Sequence, residues 1–414
     1  MKKLISRILF LLVLIFFIFI IVSKNNKSTN KIKVIKNSKS FTIKKIKPVF
    51  KYNNQIFDKT KLSKGVVLVA VEGTMQILLL DSNGNQIHKW ENIDATRAKL
   101  LSNGNLFVVY GTKWGMKDPY WENIRNYVRI YDPEGNIVWE YKADDIAHHD
   151  FTYINENEIY LLLRDIVPFE KNSSIKDKLR RSQEIRADRI IKINEAGDIK
   201  WDWRAYEHLD LNSCGNRGCV EVVSGQEKAL KRLRDWTHIN TLSIMPENKW
   251  YDSGDSRFKP GNIITLPRNW WTVLVIDKDT KKTVWDYSGD YRGGVSGGHD
   301  AQMIEKGYPG AGNILIFDNG RKLHNKESII LEVDPVTKKL IWKYEAGKAF
   351  YSESRGAVQR LKNGNTLISE DQKGRCFEVD SDSNIVWSFN PGYQINRCKK
   401  YETVPKYYLN KISK

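Results

Sequence analysis

A single arrangement of apolar and polar positions recurs six times along this chain. A run of β-branched and other apolar residues ends in Asp or Asn, a short polar turn follows, and a second run closes on Trp. The copies are ILLLDSNGNQIHKW (77–90), VRIYDPEGNIVWEY (128–141), RIIKINEAGDIKWDW (189–203), LVIDKDTKKTVWDY (274–287), ILEVDPVTKKLIWKY (330–344) and CFEVDSDSNIVWSF (376–389). Alternating apolar positions on either side of a Gly, Asn or Asp turn predict a β-hairpin. Trp90, Trp139, Trp201, Trp285, Trp342 and Trp387 occupy equivalent places. An aromatic so placed packs between neighbouring sheets, and we assign it no chemistry.

A second hairpin lies between these copies, at 98–110, 148–163, 238–269, 299–317 and 357–369, with an enlarged turn in the third. Two hairpins make a four-stranded sheet, and radial repetition of such sheets predicts a propeller in preference to a solenoid or a sandwich. Six Trp hairpins and five partners give six blades if GVVLVAV (65–71) joins the last sheet and closes the ring. The expected fold class is therefore all-β, a six-bladed β-propeller over residues 65–400 with a C-terminal tail at 401–414. Two insertions, 165–188 and 204–236, contain charged stretches of helical composition and are expected on a propeller face.

The N-terminus departs from this pattern. Lys2, Lys3 and Arg7 precede an unbroken apolar run, so residues 1–23 read as an uncleaved transmembrane signal anchor. Residues 24–64 read as a basic, disordered tether. The propeller is then expected in the periplasm or otherwise outside the cytoplasmic membrane. The net charge of +18 changes little, because much of it sits in this N-terminal stretch without aromatic or structured motifs. That distribution argues against a nucleic-acid partner. Four cysteines remain, and Cys214 and Cys219 flank a Gly-rich loop that reads as a local disulfide in an exported protein. Pairing of Cys376 with Cys398 is left open.

Chemistry concentrates where the second hairpins begin. His148 and His149, His238, and His299 stand at these junctions, whereas His88, His208 and His324 do not. Arg97 falls at the place His149 takes, and Ser354 and Arg355 open the fifth copy. Equivalent positions in successive blades face one axis, so these residues converge on a shared polar site. Three histidines could hold zinc. Arg97, Arg268 and Arg355 would repel a cation, and the site is expected to take an oxyanion, with no metal and no cofactor.

At HHD (148–150), DWTHIN (235–240), GNIITLPRN (261–269), GGHDAQ…GNILIFDNG (297–320) and SRGAVQRLKNGN (354–365), the chain resembles the bacterial arylsulfate sulfotransferases. The resemblance implies transfer of a sulfuryl group from an aryl sulfate to a phenol, without a nucleotide donor, through a sulfohistidine. It implies His299 as the sulfated residue, with His238, Arg268 and His149 as its catalytic partners. It also implies Asn240 and Ser354 as substrate contacts, with His148 as a second claimant to the place of His149. Arg355 and Arg97, read from the strand starts, complete the expected substrate contacts. The expected partners are small-molecule aryl sulfates and phenols, and the membrane through the anchor. The competing expectation is a non-catalytic, tethered propeller that binds an anionic ligand or a partner protein. A quinone-dependent dehydrogenase would need eight blades and a calcium-type carboxylate site, which the sequence lacks.

Overall fold

The structure is a computed structural model and describes residues 53–110, 124–219 and 234–412. Six antiparallel sheets are arranged so that their first strands touch one another in a closed ring: Arg97–Leu100, Ala147–Asn155, Ile239–Ile244, Asp300–Met303, Ala357–Arg360 and Ile395–Tyr401. We number the blades one to six in that order. The expected six-bladed propeller is thus present.

Closure differs from the expectation. Val66–Val71 does not join the sheet of blade five; it pairs with Ile395–Tyr401, with Val66 opposite Tyr401 and Val71 opposite Ile395. Blade six therefore takes its inner strand from the C-terminus and its other three strands from residues 66–91. The unbroken apolar run of Val66–Val71 follows from burial on both faces. Val66, Leu68 and Ala70 pack toward blade one, while Val67, Val69 and Val71 pack toward Leu367 and Trp387 of blade five. Each such side chain contributes about 1.5–3 kcal/mol when taken fully from water. Cys376 pairs with Cys398, which ties the closing strand covalently to blade five.

The six tryptophans do more than fill space. Each indole N–H reaches toward the turn of the next blade's outer hairpin. Trp90 donates to Asp132 O, Trp139 to Glu195 O, Trp201 to Lys278 O, Trp285 to Pro335 O and Trp342 to Ser381 O, at 2.7–3.1 Å. Trp387 completes the circuit through Asn54, which accepts from it at 3.0 Å and donates to Asn83 O at 2.7 Å. Asn54 is available because Asn53–Ile56 adds a fifth strand to the edge of blade five. Residues 53–64, assigned from sequence to a disordered tether, are thus part of the propeller here; Ser63 is buried and bonded to Glu378. The outer turns follow their sequence: Asp132 accepts from Asn136 N, and Gly135 adopts φ +88°, which a side chain would oppose.

The insertions contain only short helices among the described residues, including Lys178–Arg181 and Ala205–His208. Most of the basic stretch 227–236, the anchor at 1–23 and the tether up to residue 52 lie outside the described residues. Among those described, no helix is long and apolar enough to cross a membrane. The last residues are not a free tail: Tyr408, on Lys406–Leu409, is buried beside Trp90 and donates to Gly104 O at 2.8 Å.

Candidate functional site

The inner strands start at one end of the ring, and there the backbone departs from regular pairing. In blade two, Ala147 and Phe151 pair with Leu163 and Leu161, so His148, His149 and Asp150 bulge opposite one residue. Blade three has a bulge between Ile239 and Leu242, and blade six has one between Asn396 and Lys399. His149, His238, Arg355 and Arg397 all adopt positive φ, between +49° and +62°. Left-handed, non-glycine residues cost free energy and gather where function needs a redirected side chain.

These departures surround a cavity of about 300 Å³. His148, His149, His238, His299, Arg268, Ser354 and Arg355 all line it, as the sequence led us to expect. The lining holds six arginines against two aspartates, Asp188 and Asp235. An anion is the complementary occupant.

The Nδ1 atoms of the four histidines all have partners. His299 Nδ1 lies 2.7 Å from Asn319 Oδ1 and 3.0 Å from Gly297 O. Asn319 Nδ2 donates to Ser352 O and Arg355 O, each at 2.7 Å, which fixes the amide with its oxygen toward His299. Nδ1 must therefore carry the proton, and Nε2 keeps its lone pair. His238 Nδ1 lies 2.6 Å from Asp235 Oδ2. His149 Nδ1 lies 2.7 Å from His148 Nδ1, and its ring centre is 4.9 Å from that of His238.

Burial lowers the pKa of His299 well below 6.5, with Arg268 and Arg397 adding to the effect. Burial likewise lowers His149, helped by His148, His238 and His299. His238 is lowered by burial and by Arg268, against the pull of Asp235. In all three the shift favours the neutral ring. Burial also lowers Arg268 to about 10, aided by Arg321 and Arg217, so it stays charged. Its Nη2 donates to Asn269 Oδ1 at 3.3 Å and stands 3.6 Å from Asp235.

Two expected contacts lie elsewhere. Arg97 sits below the cavity, with Nε on Asp150 Oδ1 at 3.1 Å and Nη1 on Arg397 O at 3.2 Å. Together with Lys99 it lines a separate cavity of about 260 Å³. Blade one has no bulge here, so Arg97 and Lys99 share the face of a regular strand. Asn240 is fully buried behind the site, with Nδ2 3.4 Å from Gly298 O. It supports the His299 backbone and does not reach the cavity. Ser354 Oγ accepts from Gln372 Nε2 at 2.7 Å, which leaves its proton for an occupant. Arg355 lines the cavity but also pairs with Glu72.

The sequence reading passed over Asp188, Asp235, Asn319 and Arg397. Asp235 and Asn319 stand inside quoted motifs, three residues before His238 and twenty after His299. Arg397 was hidden because its strand was not recognised as the sixth inner strand. Its Nη2 donates to Asn240 O at 2.5 Å and His299 O at 2.7 Å, and Nη1 stands 3.2 Å from Asp150. It forms the charged floor under the histidines. The Cys214–Cys219 disulfide is formed, and its loop packs on Trp270, two residues after Arg268, with Arg217 N donating to Trp270 O at 3.2 Å.

A family model described as arylsulfotransferase (ASST) matches residues 121–392, more than half of the chain and most of the propeller. The chain belongs to the arylsulfotransferase family. The match contains His148, His149, His238, Arg268 and His299, while Arg397 and the closing strand fall beyond it. No curated protein matches the chain. Among solved structures it is similar to a Bacteroides caccae protein of unknown function, at 11% identity and TM-score 0.46, over 79% of this chain and 93% of that one. It is also similar to selenomethionine-substituted virginiamycin B lyase from Staphylococcus aureus, at 11% identity and TM-score 0.40, over 82% of this chain and 88% of that one.

Proposed function

We propose that this arylsulfotransferase moves a sulfuryl group from an aryl sulfate to a phenol by way of a sulfated His299. One observation carries the reading: His299 is neutral, its proton is held at Nδ1 by Asn319 and Gly297, and Nε2 is the nitrogen left to attack. Neutral imidazole is a competent nucleophile, and holding it in one tautomer removes the cost of finding it.

In the first half-reaction Nε2 attacks sulfur, an N–S bond forms, and the S–O bond to the aryl group breaks. Sulfuryl transfer resembles phosphoryl transfer in needing positioning and charge stabilisation at the equatorial oxygens. Arg268 supplies a rigid two-pronged donor for those oxygens. The departing phenolate takes a proton from a neighbouring histidine. In the second half-reaction that histidine takes the proton of the acceptor phenol, whose oxygen attacks sulfur and restores His299. Both halves use one cavity, so the kinetics are ping-pong.

The two disulfides support residence in an oxidising compartment, in keeping with the proposed N-terminal anchor and an extracytoplasmic propeller. The test is steady-state transfer from a chromogenic aryl sulfate to added phenol, using the full chain. Parallel double-reciprocal lines are expected. A protein that binds aryl sulfates with Arg268-dependent affinity, yet never turns them over, would replace this reading with the binding module.

A further inference from the structure

His148 and His149 are adjacent in sequence, yet their rings meet through Nδ1 and Nδ1 at 2.7 Å. One of these nitrogens must donate and the other accept. His148 Nε2 stands 3.2 Å from Asp188 Oδ1. The other Asp188 oxygen is already occupied, by Thr237 Oγ1 and by Ile239 N at 2.8 Å. When the pair carries two protons, the carboxylate facing Nε2 draws the His148 proton there, which makes His148 Nδ1 the acceptor and His149 Nδ1 the donor. His149 Nε2 is then left unprotonated, and His149 lines the cavity.

We propose that Asp188, His148 and His149 form a proton store that serves the phenol oxygen in both half-reactions. The proposal rests on the transferase reading and names the acid–base partner within it. When the acceptor phenol gives its proton to His149 Nε2, the Nδ1 proton of His149 passes to His148 Nδ1. The positive charge then lies on His148, beside the Asp188 carboxylate, and not on His149 among Arg397, His238 and His299. The resting protein holds this third proton. In the donor half-reaction His149 Nε2 gives its proton to the departing phenolate, His148 Nδ1 passes its own to His149 Nδ1, and the acceptor phenol later restores it. No proton is gained or lost over the cycle. Asp188 and His148 are positioning residues; His149 touches the substrate. The bulge at 148–150 and the left-handed His149 are what bring consecutive rings into this contact.

The substitution His148→Asn tests the store, because its side-chain oxygen can still accept from His149 but cannot take up a proton. Donor kcat/KM is measured for aryl sulfates whose phenols range from strongly acidic nitrophenols to alkylphenols of pKa about 10. Proton donation matters most for the worst leaving group, so the loss should rise along the series, from under about tenfold to roughly a hundredfold or more. A uniform loss, or none, with the wild type active overturns the store and leaves the transferase reading standing. A wild type inert toward every donor overturns both. Nitrogen-15 NMR of histidine-labelled wild-type protein gives a reading that does not depend on the variant folding. Protons on both nitrogens of His148 and on His149 Nε2 in the resting protein support the store, and a neutral His148 beside a bare His149 Nε2 overturns it.

Discussion

The outer and inner ends of each blade are built from the same repeat, but they use repetition in opposite ways. At the rim, Trp occupies all six equivalent positions, and each indole makes a bond toward the neighbouring blade. At the axis, the six equivalent starts divide between two residue types: arginine in blades one, five and six (Arg97, Arg355, Arg397) and histidine in blades two, three and four (the His148–His149 pair, His238, His299). Sameness around the ring marks architecture. Difference around the ring marks chemistry, because a reacting group needs a nucleophile, a cation and a proton carrier at distinct places.

That comparison breaks most sharply at His299. His299→Ala is expected to reduce transfer to the uncatalysed level while the melting temperature stays near that of the wild type. Circular dichroism and a transfer assay on one preparation check both halves. Arg268→Ala should follow, with a loss of about 2.7–4 kcal/mol of transition-state stabilisation, seen in kcat more than in KM. Lys at that position should recover only part of it, since a point charge lacks the fork.

The contacts that close the ring should answer chiefly in stability. Replacing both Cys376 and Cys398 by Ser releases the closing strand, and about 2–4 kcal/mol should be lost in a denaturant titration. A smaller loss, about 1–3 kcal/mol, is expected for Trp285→Phe, which leaves Pro335 O without its donor in a buried setting. Transfer activity of this last variant should be unchanged at temperatures where it is folded.

The histidines also predict a pH dependence. Their folded-state pKa values lie below the ordinary 6.5, so the unfolded chain takes up protons first as pH falls. Stability from these groups is full above pH 6.5 and is lost as pH drops from there toward the folded values. Replacing His149 by Gln should flatten that part of the stability profile, measured by thermal melts across pH.

The same contrast explains what could be seen in the sequence. The rim was legible because six Trp hairpins announce themselves, and the axis was legible wherever a histidine stood at the start of a second hairpin. The closing strand was not, since Ile395–Tyr401 has no hairpin partner adjacent in sequence and carries no Trp. Missing it concealed Arg397. Asp188 and Asn319 were missed because each reaches its histidine from another strand or a distant loop, a contact that only folding creates. Arg97 was placed on the wrong side of the floor because strand position alone does not reveal a bulge. Blades two, three and six redirect their side chains with one, and blade one does not.

The account turns on which nitrogen receives the sulfuryl group. Incubating the full chain with an aryl sulfate in the absence of phenol, then digesting at neutral or alkaline pH to protect an N–S bond, allows the adduct to be located by mass spectrometry. We predict a single sulfuryl increment on the peptide that contains His299, removed when phenol is added. An increment on His149 or His238, or none on any histidine while transfer proceeds, would contradict it.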